Sequence, residues 1–138
     1  MNPVRSADFP VDGRSVAAAR AFVADASSGH PRRDDAVLLM SEVATNAIMY
    51  GSTRGAEAFR VIVRPSPSRI YAAVVDGGGD DGAPTMRRHA ADAEHGRGLE
   101  IVDLIASNWG VVPVGDGHRV WFELLTRAAG RRRKRTRR

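Results

Sequence analysis

The chain has no cysteine. That excludes disulfides and thiolate chemistry and suits a reducing compartment. No apolar run approaches the roughly 20 residues of a membrane-spanning helix. The first residues, Met1 to Pro10, lack the charged-then-apolar layout of a signal peptide. Together these features lead us to expect a cytoplasmic protein without a membrane span. No Gly-x-x-x-x-Gly-Lys-Ser/Thr occurs, and the one Gly-x-Gly that opens a helix has Ile101 at the third glycine position of a dinucleotide fingerprint. There are no internal repeats. The four histidines (His30, His89, His95 and His118) have no metal-ligand spacing, so surface or loop roles are expected for them.

What is present fits one domain with one core. The length is 138 residues and 43% are hydrophobic. The net charge of +5 is misleading, because Arg131 to Arg138 holds seven of the 21 basic residues. The rest has 14 basic against 16 acidic residues, a charge of −2. We therefore divide the chain into a folded body, 1–127, and a basic tail, 128–138, which like-charge repulsion should keep extended. Direct nucleic-acid binding is not expected, except weakly through this tail.

Alternation and turn residues outline the elements. Phe9 and Val11 suggest a first strand ended by Asp12-Gly13. Ser15 to Ala26 reads as a helix stopped by Ser27-Ser28-Gly29. A second helix follows Pro31, with Asp34 and Asp35 at the positive end of its dipole. Its apolar face is Val37, Met40, Ala44, Ala47 and Ile48, and Gly51 should end it. Phe59 to Arg64 alternates as a strand, Pro65 to Ser68 turns, and Ile70 to Val75 is a second, buried strand. The stretch Asp76 to His95 has no periodicity, and so long a loop in a small domain suggests a lid. A third helix is predicted over Gly98 to Ser107. Trp109 to Val114 and Arg119 to Leu125 form a hairpin through Gly115-Asp116-Gly117. Both Trp109 and Trp121 are expected in the core.

Three segments carry candidate chemistry. In Ser41-Glu42-Val43-Ala44-Thr45-Asn46-Ala47, Glu42 and Asn46 lie four apart on one helix and point the same way. An Asn carbonyl suits magnesium, which prefers oxygen ligands and keeps waters or phosphates as the rest of its shell. A carboxylate one turn away can take a proton from an attacking hydroxyl. The same pair also fits an ordinary solvated helix face. In Val75-Asp76-Gly77-Gly78-Gly79 a strand-end carboxylate can accept the exocyclic amine of adenine, while Gly78 and its neighbours allow close approach. A plain Asp-Gly turn would look alike. In Gly96-Arg97-Gly98-Leu99 free N–H groups before a helix attract phosphate, although a hinge would read similarly.

In this order the three segments resemble the ATPase superfamily of gyrase, Hsp90, histidine kinases and MutL. The short single-domain length, and the stretches Asp34 to Gly51, Gly96 to Trp109 and Val120 to Leu124, are similar to the anti-sigma-factor serine/threonine kinases. The resemblance spans roughly residues 8 to 126. It implies an α+β fold of the Bergerat type, an ATP-binding sandwich of a mixed, mostly antiparallel sheet with three helices on one face. It implies ATP and magnesium as cofactors, with Glu42 catalytic, Asn46 the metal ligand and Asp76 the adenine reader. Gly78, Gly96, Arg97, Gly98 and Leu99 would complete the nucleotide site. As partners it implies a sigma factor to sequester and a STAS-type anti-anti-sigma factor to phosphorylate on serine or threonine, with the kinase a homodimer. The sequence departs from the family pattern at Tyr50, where a histidine is usual before the glycine. It departs again at Asp80, where a small residue is common, and at His118-Arg119, where lysine or threonine often precedes the last strand. These departures leave a second reading: a non-catalytic anti-sigma or adaptor module with a degenerate nucleotide site.

Overall fold

The chain is described here from a computed structural model, which covers residues 3–76, 99–115 and 117–126, apart from the side chains of Thr53 and Arg54. Strands β1 (Arg5–Pro10), β2 (Ala58–Ser66), β3 (Arg69–Asp76), β4 (Asn108–Val114) and β5 (Gly117–Leu125) form one sheet in the order β1-β2-β3-β5-β4. Every pairing in it is antiparallel. Helices α1 (Ser15–Ala26), α2 (Arg33–Arg54) and α3 (99–105) accompany it. The fold is the α+β sandwich expected. None of the helices among the described residues is long and apolar enough to cross a membrane.

The core lies between the helices and one face of the sheet. Strand alternation supplies Phe59, Val61 and Val63 from β2, Ile70, Ala72 and Val74 from β3, and Phe122 and Leu124 from β5. From α2 come Ala36, Leu39, Met40, Val43, Ala44 and Ala47, and from α1 Ala19 and Val23. The stripe of α2 is thus wider than the predicted one: Leu39 and Val43 are fully buried, whereas Val37 and Ile48 pack at its margins. Leu99, Ile101, Val102 and Ile105 extend the core beneath α3.

Several boundaries differ from expectation, each for a local reason. The first strand ends at Pro10, and Val11 turns inward against Gly51. A Cβ at Gly51 would lie 3.0 Å from a Val11 methyl, so this glycine makes room inside α2 and does not end it. The helix runs another turn and stops at Gly55, which adopts the left-handed conformation with φ 78°. Strand β2 continues through Pro65, which lies beyond the β1 pairing at Val63, where β2 has a neighbour on one side only. The third helix ends at 105, short of Ser107, whose Oγ accepts the Leu125 amide and ties the following turn to β5. Trp109 is buried as expected, donating Nε1–H to Asp103. Trp121 is not in the core. It precedes inward-facing Phe122, so alternation puts it on the opposite face, where its indole lies across Gly110 and beside Tyr71.

The end of the sandwich at the β2–β3 turn is fastened by main-chain contacts. His30 Nδ1 accepts the Arg32 amide, which leaves Nε2–H to donate to the Ser66 carbonyl. Arg32 donates to the Leu125 carbonyl at 2.6 Å and pairs with Asp35. The start of α2 is thereby fixed to both β2 and β5.

Candidate functional site

On α2, Glu42, Asn46 and Tyr50 follow one another at intervals of four residues, each step rising about 6 Å along one side of the helix. The row borders the buried stripe. Asn46 is 7% exposed, an uncommon depth for an amide, while Glu42 and Tyr50 are half-buried.

The sheet offers a matching feature at the end opposite the His30 fastening. The inward positions of β3 are Ile70, Ala72 and Val74, and the next is Asp76. Those of β5, read backwards, are Leu124, Phe122 and Val120, and the next is His118. Val75 pairs with Arg119, so Asp76 and His118 stand side by side one step further along the ladder. Phe59 of β2 flanks Asp76 on its other side. Both polar side chains are nearly sealed, with Asp76 5% and His118 2% exposed. Two ionisable groups thus occupy positions that the alternation would fill with apolar residues, a costly arrangement that singles out a functional place.

Two contacts join the helix row to this ladder end. The Tyr50 ring stacks on His118, with centroids 5.4 Å apart and planes at 25°. Gly117 then brings β5 hard against Asp76. A Cβ at Gly117 would lie 2.3 Å from the Asp76 carbonyl oxygen and 2.7 Å from Oδ1, so no residue with a side chain fits there without moving a strand.

The structure therefore joins the Tyr50 end of the α2 row to the strand end that bears Asp76, with Asn46 one turn and Glu42 two turns further back along the helix. Leu99 lies at the start of the described part of α3, and its side chain packs against the core. Gly78, Gly96, Arg97 and Gly98, the expected lid from Asp80 to His95, and the basic tail lie outside the described residues. Sequence reasoning assigned His118 to the surface, treated Tyr50 as a mere departure and read Gly117 only as a turn. The signal for His118 was present in the period-two run that ends with it, and Tyr50 continues the four-residue spacing of Glu42 and Asn46.

The donor set agrees with a nucleotide and its metal ion. A buried carboxylate flanked by Phe59 and by His118, on which the ring of Tyr50 stacks, suits a flat base carrying an amine. Among the described residues no three His, Asp or Glu side chains converge as a metal cage. A magnesium ion beside Asn46 would draw most of its shell from phosphate and water, as that ion prefers. A second hollow, of about 440 Å³, opens at the opposite end between Pro3, Pro31, Pro65 and Pro67. It gathers less chemistry, since Arg5 and His30 on its wall are already bonded to Asp25 and the Ser66 carbonyl.

No curated protein sequence matches the chain. A family model described as the histidine kinase-like ATPase domain matches residues 9–123, from β1 to the last turns of β5. That span contains the α2 row, the β3 end and the start of β5 in the order the site requires, and the chain belongs to the histidine kinase-like ATPase domain family.

Proposed function

We propose that this chain binds ATP with magnesium at the α2–β3–β5 end of the sandwich and acts in the cytoplasm as an anti-sigma factor with protein serine/threonine kinase activity. The observation that carries the nucleotide reading is the buried Asp76 carboxylate at the ladder end, joined through Gly117, His118 and Tyr50 to the helix row that bears Asn46 and Glu42. In this reading Asp76 accepts the exocyclic amine of adenine, and Asn46 offers its carbonyl to the ion. Bound magnesium neutralises charge on the transferring phosphoryl group. Glu42, half-buried and one helical turn from Asn46, takes the proton from the attacking hydroxyl. Residues 77–98 follow Asp76 directly in sequence and contribute Gly78, Gly96, Arg97 and Gly98, with Leu99 next in the chain, around the phosphates. The resemblance of the Asp34–Gly51 and Val120–Leu124 stretches supports a sigma factor as the sequestered partner. It also supports a STAS-type anti-anti-sigma factor as the phosphorylated one, and a homodimer as the working form.

Titration with ATP and magnesium tests the reading, since a ligand of the folded state raises the melting temperature by mass action. Asp76→Asn and Asn46→Ala should each weaken binding by about tenfold or more, the equivalent of one charge-assisted hydrogen bond. Glu42→Ala should retain binding and abolish transfer of labelled phosphate to the antagonist. Absence of any shift at millimolar ATP and magnesium would sink the nucleotide site. The stacked Tyr50 and His118, both departures from the family pattern, favour the second reading of a non-catalytic adaptor. Wild-type protein that binds ATP and antagonist yet transfers no phosphate would establish it.

A further inference from the structure

We propose that the Tyr50–His118 stack is the selectivity wall of the base pocket: it holds the Asp76 carboxylate in the one orientation that accepts a 6-amino purine. This rests on the ATP-site reading above and deepens it by giving two residues that border the site a specific role in base selection.

The two residues lie far apart in sequence, yet their rings touch. Tyr50 comes from the site end of α2 and His118 from the start of β5, and their rings lie nearly parallel at 5.4 Å. One ring fills the space the other's absence would open.

Their place gives the pair its role. His118 is the cross-strand neighbour of Asp76 on the inward face, and it is 2% exposed beneath the half-buried Tyr50. On one side Asp76 meets Phe59. On the other it meets Gly117, where Oδ1 already stands 2.7 Å from the position a Cβ would take. Asp76 thus stands between Phe59 and His118 on neighbouring strands with its carboxylate close against the Gly117 backbone, and the imidazole is itself stacked under the tyrosine ring. Removing the tyrosine frees His118 to turn. A turned His118 releases the carboxylate from the direction in which it meets an amine. Because Tyr50 follows Asn46 by one helical turn, the same ring sets how far the base-reading group stands from the metal-side row. Tyr50 and His118 are positioning residues, acting through Asp76.

The discriminating ligand is inosine triphosphate, in which an oxygen replaces the exocyclic nitrogen of ATP and N1 carries a proton. Asp76 aimed at the 6-position accepts from the amine of ATP and repels the oxygen of inosine, and only a carboxylate free to turn could reach the inosine N1–H instead, so wild-type protein should favour ATP by tenfold or more. Tyr50→Leu keeps apolar bulk and removes the ring, and it should reduce the ATP-to-inosine-triphosphate affinity ratio at least fivefold, chiefly by weakening ATP. His118→Leu should do the same. The double variant should be little worse than either single one, because the two act as one unit. Tyr50→Phe keeps the stack and should keep the ratio. Calorimetric titration of each variant with both nucleotides reads this directly. Melting temperatures without nucleotide separate loss of packing from loss of selectivity. Equal weakening of both nucleotides, or an unchanged ratio in Tyr50→Leu and His118→Leu, would overturn the inference and reduce the stack to core packing. Wild-type protein that binds both nucleotides equally would also overturn it while leaving the ATP site standing. Wild-type protein that binds neither overturns the site itself, and this inference with it.

Discussion

The two ends of the groove between α2 and the sheet each hold a histidine, and the two are used in opposite ways. At the β2–β3 turn, His30 spends both ring nitrogens on main-chain groups, and neighbouring Arg32 grips the Leu125 carbonyl and Asp35. The chemistry there is consumed by the fold. At the other end His118 stands beside a carboxylate and is committed through its face, stacked under Tyr50, which follows the buried amide of Asn46 by one helical turn. One end turns polar groups into fasteners. The other concentrates buried polar side chains at the mouth of the sandwich, where the chain departs into 77–98. Stability and function are thereby separated along the length of a single helix.

That separation can be broken most forcefully at Gly117. Gly117→Ala places a methyl 2.3 Å from the Asp76 carbonyl oxygen. Overpacking of this kind costs about 1–3 kcal/mol, and the strand shift that relieves it moves Asp76. The variant should lose ATP affinity by at least about tenfold as well as stability, measured by nucleotide titration and thermal melting together. Retained ATP binding in a folded Gly117→Ala protein would detach Asp76 from the site.

The fastened end should respond in the opposite sense. Arg32→Ala removes the bonds to the Leu125 carbonyl and to Asp35. A loss of about 1–2 kcal/mol is expected from a partly exposed, charge-assisted contact, visible as a melting temperature several degrees lower. ATP affinity at a temperature where the variant is folded should be unchanged. A matching fall in affinity would show that the two ends are coupled through α2.

The smallest effect is expected away from both ends, at the exposed pair of Asp8 on β1 and Arg60 on β2. Hydrogen bonds from Arg60 hold the Asp8 carboxyl below its ordinary value of 3.8. A carboxyl depressed in the folded state stabilises fully above its unfolded value, and the contribution disappears as pH falls through the folded one. The small difference in melting temperature between wild type and Asp8→Asn should therefore be constant near neutrality and vanish in acid below 3.8. Surface pairs contribute little, so a large difference would mean that β1 is secured mainly by this contact.

Much of this arrangement was legible in the sequence, and what was not has physical causes. The inward residues of β2 and β3 followed from alternation, and Asp76 from its place at a strand end. The Glu42–Asn46 spacing survived because helical periodicity does not depend on tertiary partners. Gly51 misled, because a glycine that admits Val11 beside a helix looks the same in sequence as one that ends it. Trp121 misled because bulk was weighed above parity: its neighbour Phe122 had already claimed the inward side. The pairing of His118 with Tyr50 was hidden because it depends on which strand lies next to β3, and strand order is set by the whole sheet.

The sheet order has a consequence for how this chain can vary. β3 pairs with β5 although the stretch 77–116 lies between them, so their ladder closes a long excursion that also contains α3 and the edge strand β4. The entropy of closing such an excursion grows only with the logarithm of its length, about 0.6 kcal/mol for each doubling. The length of that excursion by itself is therefore a small term in folding, while the strands that meet at Gly117 leave no room for an added carbon. Changes in the length of the excursion are thus open to variation in a way that changes at the Gly117 crossing are not.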